Sequence, residues 1–261
     1  YPFKRISMGI QDFDPKVQKA INRIQSKELI TKVMVKLKAI KVESINFDLI
    51  YGLPHQNLKS IEQTLKDVKD LSPDLIAFYS YAHLPEKLKN QKLINYKDLL
   101  QGKDKYALFL RAREVLLKEG YISIGLDHFA KVGSYLADAS RRGRVLRNFM
   151  GHTDKKENCL LGLGVSAISE SPDFFWQNEK DLHLYERSLI NGPRANQGHV
   201  LSKKEKIISK EIQSLMCHEV FSLASFSEAD RKIILRNLHS LIIDGLITGD
   251  GSDFKLTELG R

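Results

Sequence analysis

Cysteine is nearly absent from this chain of 261 residues: only Cys159 and Cys217 occur, far apart in sequence. Two distant thiols make neither a disulfide framework nor, by themselves, a cysteine-rich metal site, so both are expected as buried free thiols. Long apolar runs are missing too. None approaches the roughly 18 residues that a membrane-spanning helix requires, which leaves a soluble protein as the expectation. The opening Tyr1-Pro2-Phe3-Lys4-Arg5 has neither an initiating Met nor the apolar stretch of a signal peptide, so a cytoplasmic location is expected. The chain has no P-loop, no Gly-x-Ser-x-Gly elbow and no His-Glu-x-x-His pair. Gly162-Leu163-Gly164 has the spacing that begins a dinucleotide motif, but the third glycine is missing and Ser166-Ala167-Ile168 follows, so no phosphate cradle is expected there.

What is present is an ordinary globular composition: 42% hydrophobic, 28% charged, with 16 Gly and 7 Pro. The length implies one large domain, or one domain with an appendage. Lys and Arg outnumber Asp and Glu by 41 to 32, a net charge of +9 that favours an acidic partner such as nucleic acid, a membrane surface or a polycarboxylate. The excess is spread over helix faces (Lys16, Lys19, Lys36, Lys38, Lys66, Lys69), the pattern of solvated surfaces.

Along the chain, strands and helices alternate. Residues 5–10 read as a strand, with Asp14 as helix cap and Pro15 in the first turn; Val17, Ala20, Ile21 and Ile24 then recur along one helix face. A second helix starts near Ser26, with Leu29, Ile30, Val33 and Leu37 as its expected buried stripe. Residues 45–51 form a strand ending at Gly52-Leu53-Pro54, followed by a helix burying Ile61, Leu65, Val68 and Leu71. Leu75 to Tyr81 repeats the strand, and residues 103–119 the helix, stopped by Gly120. This alternation implies right-handed βαβ units and a parallel sheet, open or curved into a barrel. Gln11, Asp12, Asp48, Ala82 and His83 fall at the carboxy-terminal strand ends, the rim where such folds bind ligands. A short strand, Ile122 to Leu126, leads into Asp127-His128-Phe129-Ala130 and a Gly- and Arg-rich stretch. From about residue 172 the character changes to helices near 178–190, 202–222 and 227–243. A turn at Gly249-Asp250-Gly251-Ser252-Asp253 then closes a hairpin in the manner of a winged helix.

Four stretches read together carry a resemblance: Arg5-Ile-Ser-Met-Gly-Ile-Gln-Asp-Phe13, Asp48-Leu-Ile-Tyr-Gly-Leu-Pro54, Tyr81-Ala-His-Leu-Pro85 and Gly125-Leu-Asp-His-Phe-Ala130. Arg147-Asn-Phe-Met-Gly151 and Leu161-Gly-Leu-Gly-Val-Ser-Ala-Ile-Ser169 extend it nearly to the end of the chain. In this order they resemble the oxygen-independent coproporphyrinogen III oxidases, a family of radical S-adenosylmethionine enzymes of haem synthesis. The resemblance implies an α/β fold: the second part of a partial (β/α)6 radical-SAM barrel with its extension over residues 1–170, then a mostly helical, winged-helix-like domain over 171–261. The implied activity is oxidative decarboxylation of two coproporphyrinogen III propionates to vinyl groups through a 5′-deoxyadenosyl radical.

The family holds its [4Fe-4S] cluster with a cysteine motif that would lie upstream of Tyr1, so the resemblance implies a carboxy-terminal part that cannot hold the cluster or perform the reaction unaided. It places Gln11, Arg23, Asp48, Ala82 and Ile168 against S-adenosylmethionine. Asp48 would accept from ribose hydroxyls or the methionine ammonium, Arg23 would pair with a carboxylate, and Gln11 can donate and accept. Without the resemblance these residues read as a helix-capping Asp48, a surface Arg23 and core positions at Ala82 and Ile168. The four propionates of the substrate call for cationic partners: Arg147 and His128 are the candidates, with Arg141, Arg142 and Arg144 read as a solvated loop. His128 suits a structural hydrogen bond equally well. The family usually has Tyr where this chain has His152. An electron donor for the cluster is implied, and an open barrel edge would favour self-association.

Two other readings stand beside this one. A relative that binds or carries haem without decarboxylating it would suit the missing cysteines. A basic winged-helix nucleic-acid binder would suit a pI near 9.3, but Ile233, Ile234, Leu235, Leu238, Leu241, Ile242 and Ile243 in the would-be recognition helix point to packing, so no nucleic-acid partner is expected.

Overall fold

The computed structural model describes residues 3–190 and 197–261, which fall into two compact units, Tyr1–Asp138 and Ala139–Arg261. Compactness thus divides the chain ahead of the change in sequence character near residue 172. Among the described residues no helix is long and apolar enough to cross a membrane.

In the first unit β1 (Arg5–Gln11) leads through α1 (Pro15–Ala20) and α2 (Lys27–Ala39) to β2 (Ser44–Tyr51). Then α3 (Leu58–Leu71), β3 (Leu75–Ser80), α4 (Gly102–Lys118), β4 (Tyr121–Ile124) and β5 (His128–Lys131) follow. The sheet order is β1-β2-β3-β5-β4. The first three strands are parallel, as the alternation requires, but β5 runs antiparallel to both β3 and β4. The sheet is therefore mixed: the segment around Asp127 is a tight hairpin turn, too short to carry a crossover helix, so the chain can only return antiparallel.

Helix starts follow local chemistry. The Asp14 carboxylate caps α1 by accepting from the Lys16 and Val17 amides, Ser26 caps α2, and Asn57 with Ser60 closes a capping box on α3. α1 stops at Ala20, before Ile24, which is 76% exposed and so is not part of a buried face. In α2 the buried positions are Ile30 and Met34, with Leu37 half-buried, while Leu29 turns outward. A stripe at i, i+4, i+7 suffices for a helix that packs on one side only.

Strand alternation sorts the sheet into two faces. Ile10, Ile45, Phe47, Leu49, Ile76, Phe78 and Phe129 join α2, α3 and α4 residues such as Ile61, Leu65, Leu108 and Ala112 in one apolar core. The opposite face carries Ser7, Gly9, Asn46, Asp48, Ala77, Tyr79 and His128. An open doubly wound sheet is apolar on both faces because helices cover both. Here helices pack against one face and the other is polar, which is how barrel strands are lined.

α5 (Tyr135–Arg141) crosses the division at Asp138 into the second unit. There β6 (Leu146–Asn148) pairs with β7 (Gly151–Thr153), and β8 (Ile168–Glu170), β9 (Phe174–Gln177) and, after α6 (Leu182–Ile190), β10 (Gln197–Val200) form an antiparallel sheet that the sequence pattern did not announce. α7 (Lys203–His218), β11 (Val220–Ser222), α8 (Glu228–Ile243), β12 (Ile247–Asp250) and β13 (Asp253–Leu256) complete the winged-helix arrangement, with sheet order β11-β13-β12. α8 is not packed as its composition implied. Ile234 and Leu238 reach the core of Leu223, Phe226, Ile247 and Phe254, whereas Ile233, Leu235, Leu241, Ile242 and Ile243 remain exposed. One neighbouring surface can bury only one stripe of a helix. Cys217 is buried as expected, but Cys159 is exposed, in the loop before β8.

Candidate ligand-binding rim

The residues that converge do so around Gly9, on the polar face of the sheet. Gly9 is the register partner of Asp48 on β2. The chain bulges immediately after it, and Gln11 takes a left-handed conformation (φ 67°), a strained state that turns its side chain back toward the rim. Arg23, in the loop after α1, folds back so that Nη2 donates to the Gly9 carbonyl at 2.8 Å and Nε to Gln25 Oε1 at 3.0 Å. A Cβ on Gly9 would lie 2.8 Å from Gln11 Nε2 and 3.0 Å from Arg23 Nη2, so a bare backbone is needed for both side chains to close over it.

Asp48 lies within β2 rather than at its end, and it caps no helix. Ser7 Oγ donates to its Oδ2 at 2.9 Å and Asn46 Nδ2 to its Oδ1 at 2.8 Å; the same amide also donates to Ser7 Oγ at 2.8 Å. These neutral donors orient the carboxylate without neutralising it. Sequence reasoning missed Ser7 and Asn46. Their signal was the alternation itself, since residues 46 and 48 share a face and residue 7 pairs with residue 46.

The row continues across the sheet from Asp48 to Ala77 on β3 and His128 on β5, two strand spacings or about 10 Å from Asp48. His128 is 8% exposed, shares a 2.6 Å hydrogen bond between Nδ1 and Asp127 Oδ1, and meets Tyr79 edge-on. Its structural hydrogen bond is therefore real, and it stands on the same polar face as Asp48. Ala82 is exposed just beyond β3 rather than in the core. Its segment is pinned where Lys105 Nζ donates to the Tyr81 carbonyl at 2.6 Å, and Gln91 Nε2 to the Ala82 carbonyl at 3.1 Å. Partial burial pulls the Lys105 ammonium below the usual lysine range.

Asp12, placed on the rim by sequence, instead points inward and has no solvent exposure. Its Oδ1 accepts from Thr64 Oγ1 at 2.6 Å and the Asp14 amide at 2.7 Å, and its Oδ2 accepts from Gln56 Nε2. Gln56 also ties the Ile50 carbonyl and the Leu53 amide, while buried Gln18 ties the Asp12 carbonyl to Gln25. Burial raises the Asp12 pKa, although its hydrogen bonds oppose this. The network links the loop after β1, the loop carrying Arg23 and the loop after β2.

In the second unit, Ile168 is half-buried on β8. Its backbone passes so close to Gly162 that a Cβ there would lie 2.6 Å from the Ile168 carbonyl oxygen, which explains that glycine without any phosphate. Arg147 is half-buried on β6, and Arg141, Arg142 and Arg144 are exposed. His152 is buried on β7.

Among the described residues no group of three or more His, Cys, Asp or Glu side chains is placed to hold a metal ion. With one exposed and one buried cysteine, this chain's residues do not fit a [4Fe-4S] cluster. The one-sided parallel strands and their polar rim define a segment of a barrel-type α/β sheet. The Radical SAM superfamily model matches residues 1–68. The chain is 38% identical over 99% of its length to the oxygen-independent coproporphyrinogen III oxidase of Pseudomonas aeruginosa and 37% identical to that of Escherichia coli, covering 58% of each. Its fold matches the solved E. coli coproporphyrinogen III oxidase, described as a radical SAM enzyme, with a TM-score of 0.89 at 37% identity over 99% of this chain and 62% of that one. Over nearly its whole length the chain is thus similar to oxygen-independent coproporphyrinogen III oxidases. It spans somewhat over half the length of the curated relatives it matches.

Proposed function

We propose that this chain supplies the S-adenosylmethionine-binding and substrate-facing part of an enzyme that decarboxylates two propionates of coproporphyrinogen III to vinyl groups without oxygen. The observation that carries this reading is the convergence of Gln11, Arg23 and Asp48 around the bare backbone of Gly9. Arg23 offers a cation for the methionine carboxylate. Asp48, oriented by Ser7 and Asn46, offers acceptors for the ammonium or the ribose hydroxyls, and Gln11 can donate and accept. Ala82 and Ile168 offer small apolar surface to adenine. When bound there and given one electron from a cluster, S-adenosylmethionine supplies the radical that takes a hydrogen atom from a propionate side chain.

His128, on the same face as Asp48 and held by Asp127, and Arg147 would meet the negative propionates. We also take residues 1–170 as barrel and extension and 171–261 as a mostly helical, winged-helix-like domain, with an electron donor serving the cluster.

The test has two readouts. Calorimetric titration of the chain with S-adenosylmethionine should show binding that Asp48→Asn and Arg23→Met each weaken by about tenfold, the loss of one charge-assisted contact. Anaerobic conversion of coproporphyrinogen III by the protein with a loaded cluster should fall with the same substitutions. Unchanged titrations in both variants would remove the proposed site.

A further inference from the structure

The second unit contains a cavity of about 350 Å³ lined by Arg147, Lys155, Lys156, Lys210, Glu157 and Glu170, among others. Its cations come from three places. β6 contributes Arg147, the loop after β7 contributes Lys155 and Lys156, and one face of α7 contributes Lys206, Lys210 and Gln213 at helical spacing. Gln213 Nε2 donates to the Arg147 carbonyl at 2.8 Å and so fixes α7 to β6.

The charges of this lining do not cancel. Lys206 is paired with Asp173, but Arg147, Lys155, Lys156 and Lys210 have no ion-pair partner among the described residues. Against these four cations the lining holds two carboxylates, and Glu170 already accepts from the Phe149 amide at 3.1 Å. Arg147 is half-buried, and its Nη1 has no hydrogen-bond partner among the described residues. The thiol close enough to feel its charge, Cys217, is pushed up to about 11 by burial, so it stays neutral and gives no counter-charge. A concave site with unneutralised cations focuses its field on an anion.

We propose that this cavity is an anion-binding subsite that takes a carboxylate or phosphate group. Its volume is at the lower end for small-molecule sites, so it holds a small anion or one acidic arm of a larger molecule rather than a whole tetrapyrrole. Where the arm is a propionate of the substrate, the inference rests on the function proposed above; where the occupant is a free anion, it stands apart from it.

The experiment is calorimetric titration of the 261-residue chain with succinate, inorganic phosphate and coproporphyrin III at low salt. Two variants with the same loss of charge are compared: Lys155→Gln/Lys156→Gln/Lys210→Gln in the cavity and Lys16→Gln/Lys19→Gln/Lys36→Gln on the first unit. Each exposed cation contributes about threefold to fivefold in affinity, so the cavity triple should weaken binding by well over tenfold and the matched triple far less. Arg147→Gln should weaken it similarly, with a melting curve confirming that the variant folds. Binding of coproporphyrin III identifies a propionate arm as occupant, and binding of succinate and phosphate alone identifies a free anion. If none of the three probes binds, or if both triples weaken binding equally, the cavity is not an anion site. S-adenosylmethionine titrations of Asp48→Asn report separately on the proposed function.

Discussion

At the scale of single residues, Asp12 decides the local conformation while touching no ligand. An acidic side chain with no exposure and only neutral donors is held by hydrogen bonds rather than by an opposite charge. Because burial raises its pKa above the ordinary 3.8, the folded chain keeps this proton to higher pH than the unfolded chain does. Its contribution to stability is therefore complete below the ordinary carboxylate range and declines as pH rises through the raised value. Urea midpoints of the wild type and Asp12→Asn should show a difference that shrinks between acid and neutral pH; a growing difference would mean that the ionised form is the favoured one. At neutral pH the Asn amide would face the Gln56 donor, with a loss of about 1–3 kcal/mol. Gly9→Ala tests the rim from the other side. Its Cβ would meet only the far ends of Gln11 and Arg23, so melting should change by less than about 2 °C while S-adenosylmethionine affinity falls about tenfold. Gln11 and Asp48 could be singled out because they lie in motifs that resemble a family's; Arg23 lies outside those motifs, and its place beside Gly9 is seen in the fold. Ser7 and Asn46 became visible only with the strand register, which no single segment encodes.

Among the elements, the pinning of the segment after β3 has a clear weak point. The Lys105 stem crosses Gly52, where an added Cβ would lie 2.5 Å from Cε, and Gly52 has φ +81°. Gly52→Ala should therefore lower stability by about 1–2 kcal/mol, or about 4 °C in melting temperature, and release the Tyr81 carbonyl. Lys105→Met should keep most of the stability and lose the pinning alone, visible as faster amide exchange near Ala82. The apolar stripe of α3 was readable, because Ile61, Leu65, Val68 and Leu71 recur at helical spacing, whereas the burial of Thr64 between them was not. α8 was not. Its composition gave an apolar helix, but which stripe is buried depends on the strands after it, and the exposed remainder has no signature in the helix itself. The antiparallel β5 was hidden for a similar reason: a tight turn at Asp127 is a local event, whereas its pairing with β3 joins residues more than fifty positions apart.

For the molecule as a whole, β1 is one of the two edge strands of the five-stranded sheet, paired with β2 alone among the described residues. A free ladder on a barrel-type strand favours pairing with another chain. Sedimentation velocity over a concentration series should show reversible self-association; a monomer throughout would remove that expectation. The two cysteines, both in the second unit, should differ in how they can be addressed chemically. Cys159 is exposed between Asn158 and Leu160, both of which line the basic cavity, whereas Cys217 is buried and its thiol is held neutral to about 11. Near neutral pH a maleimide dye would thus attach at a single point, without any engineered substitution, and its emission would report occupancy at the cavity mouth in real time.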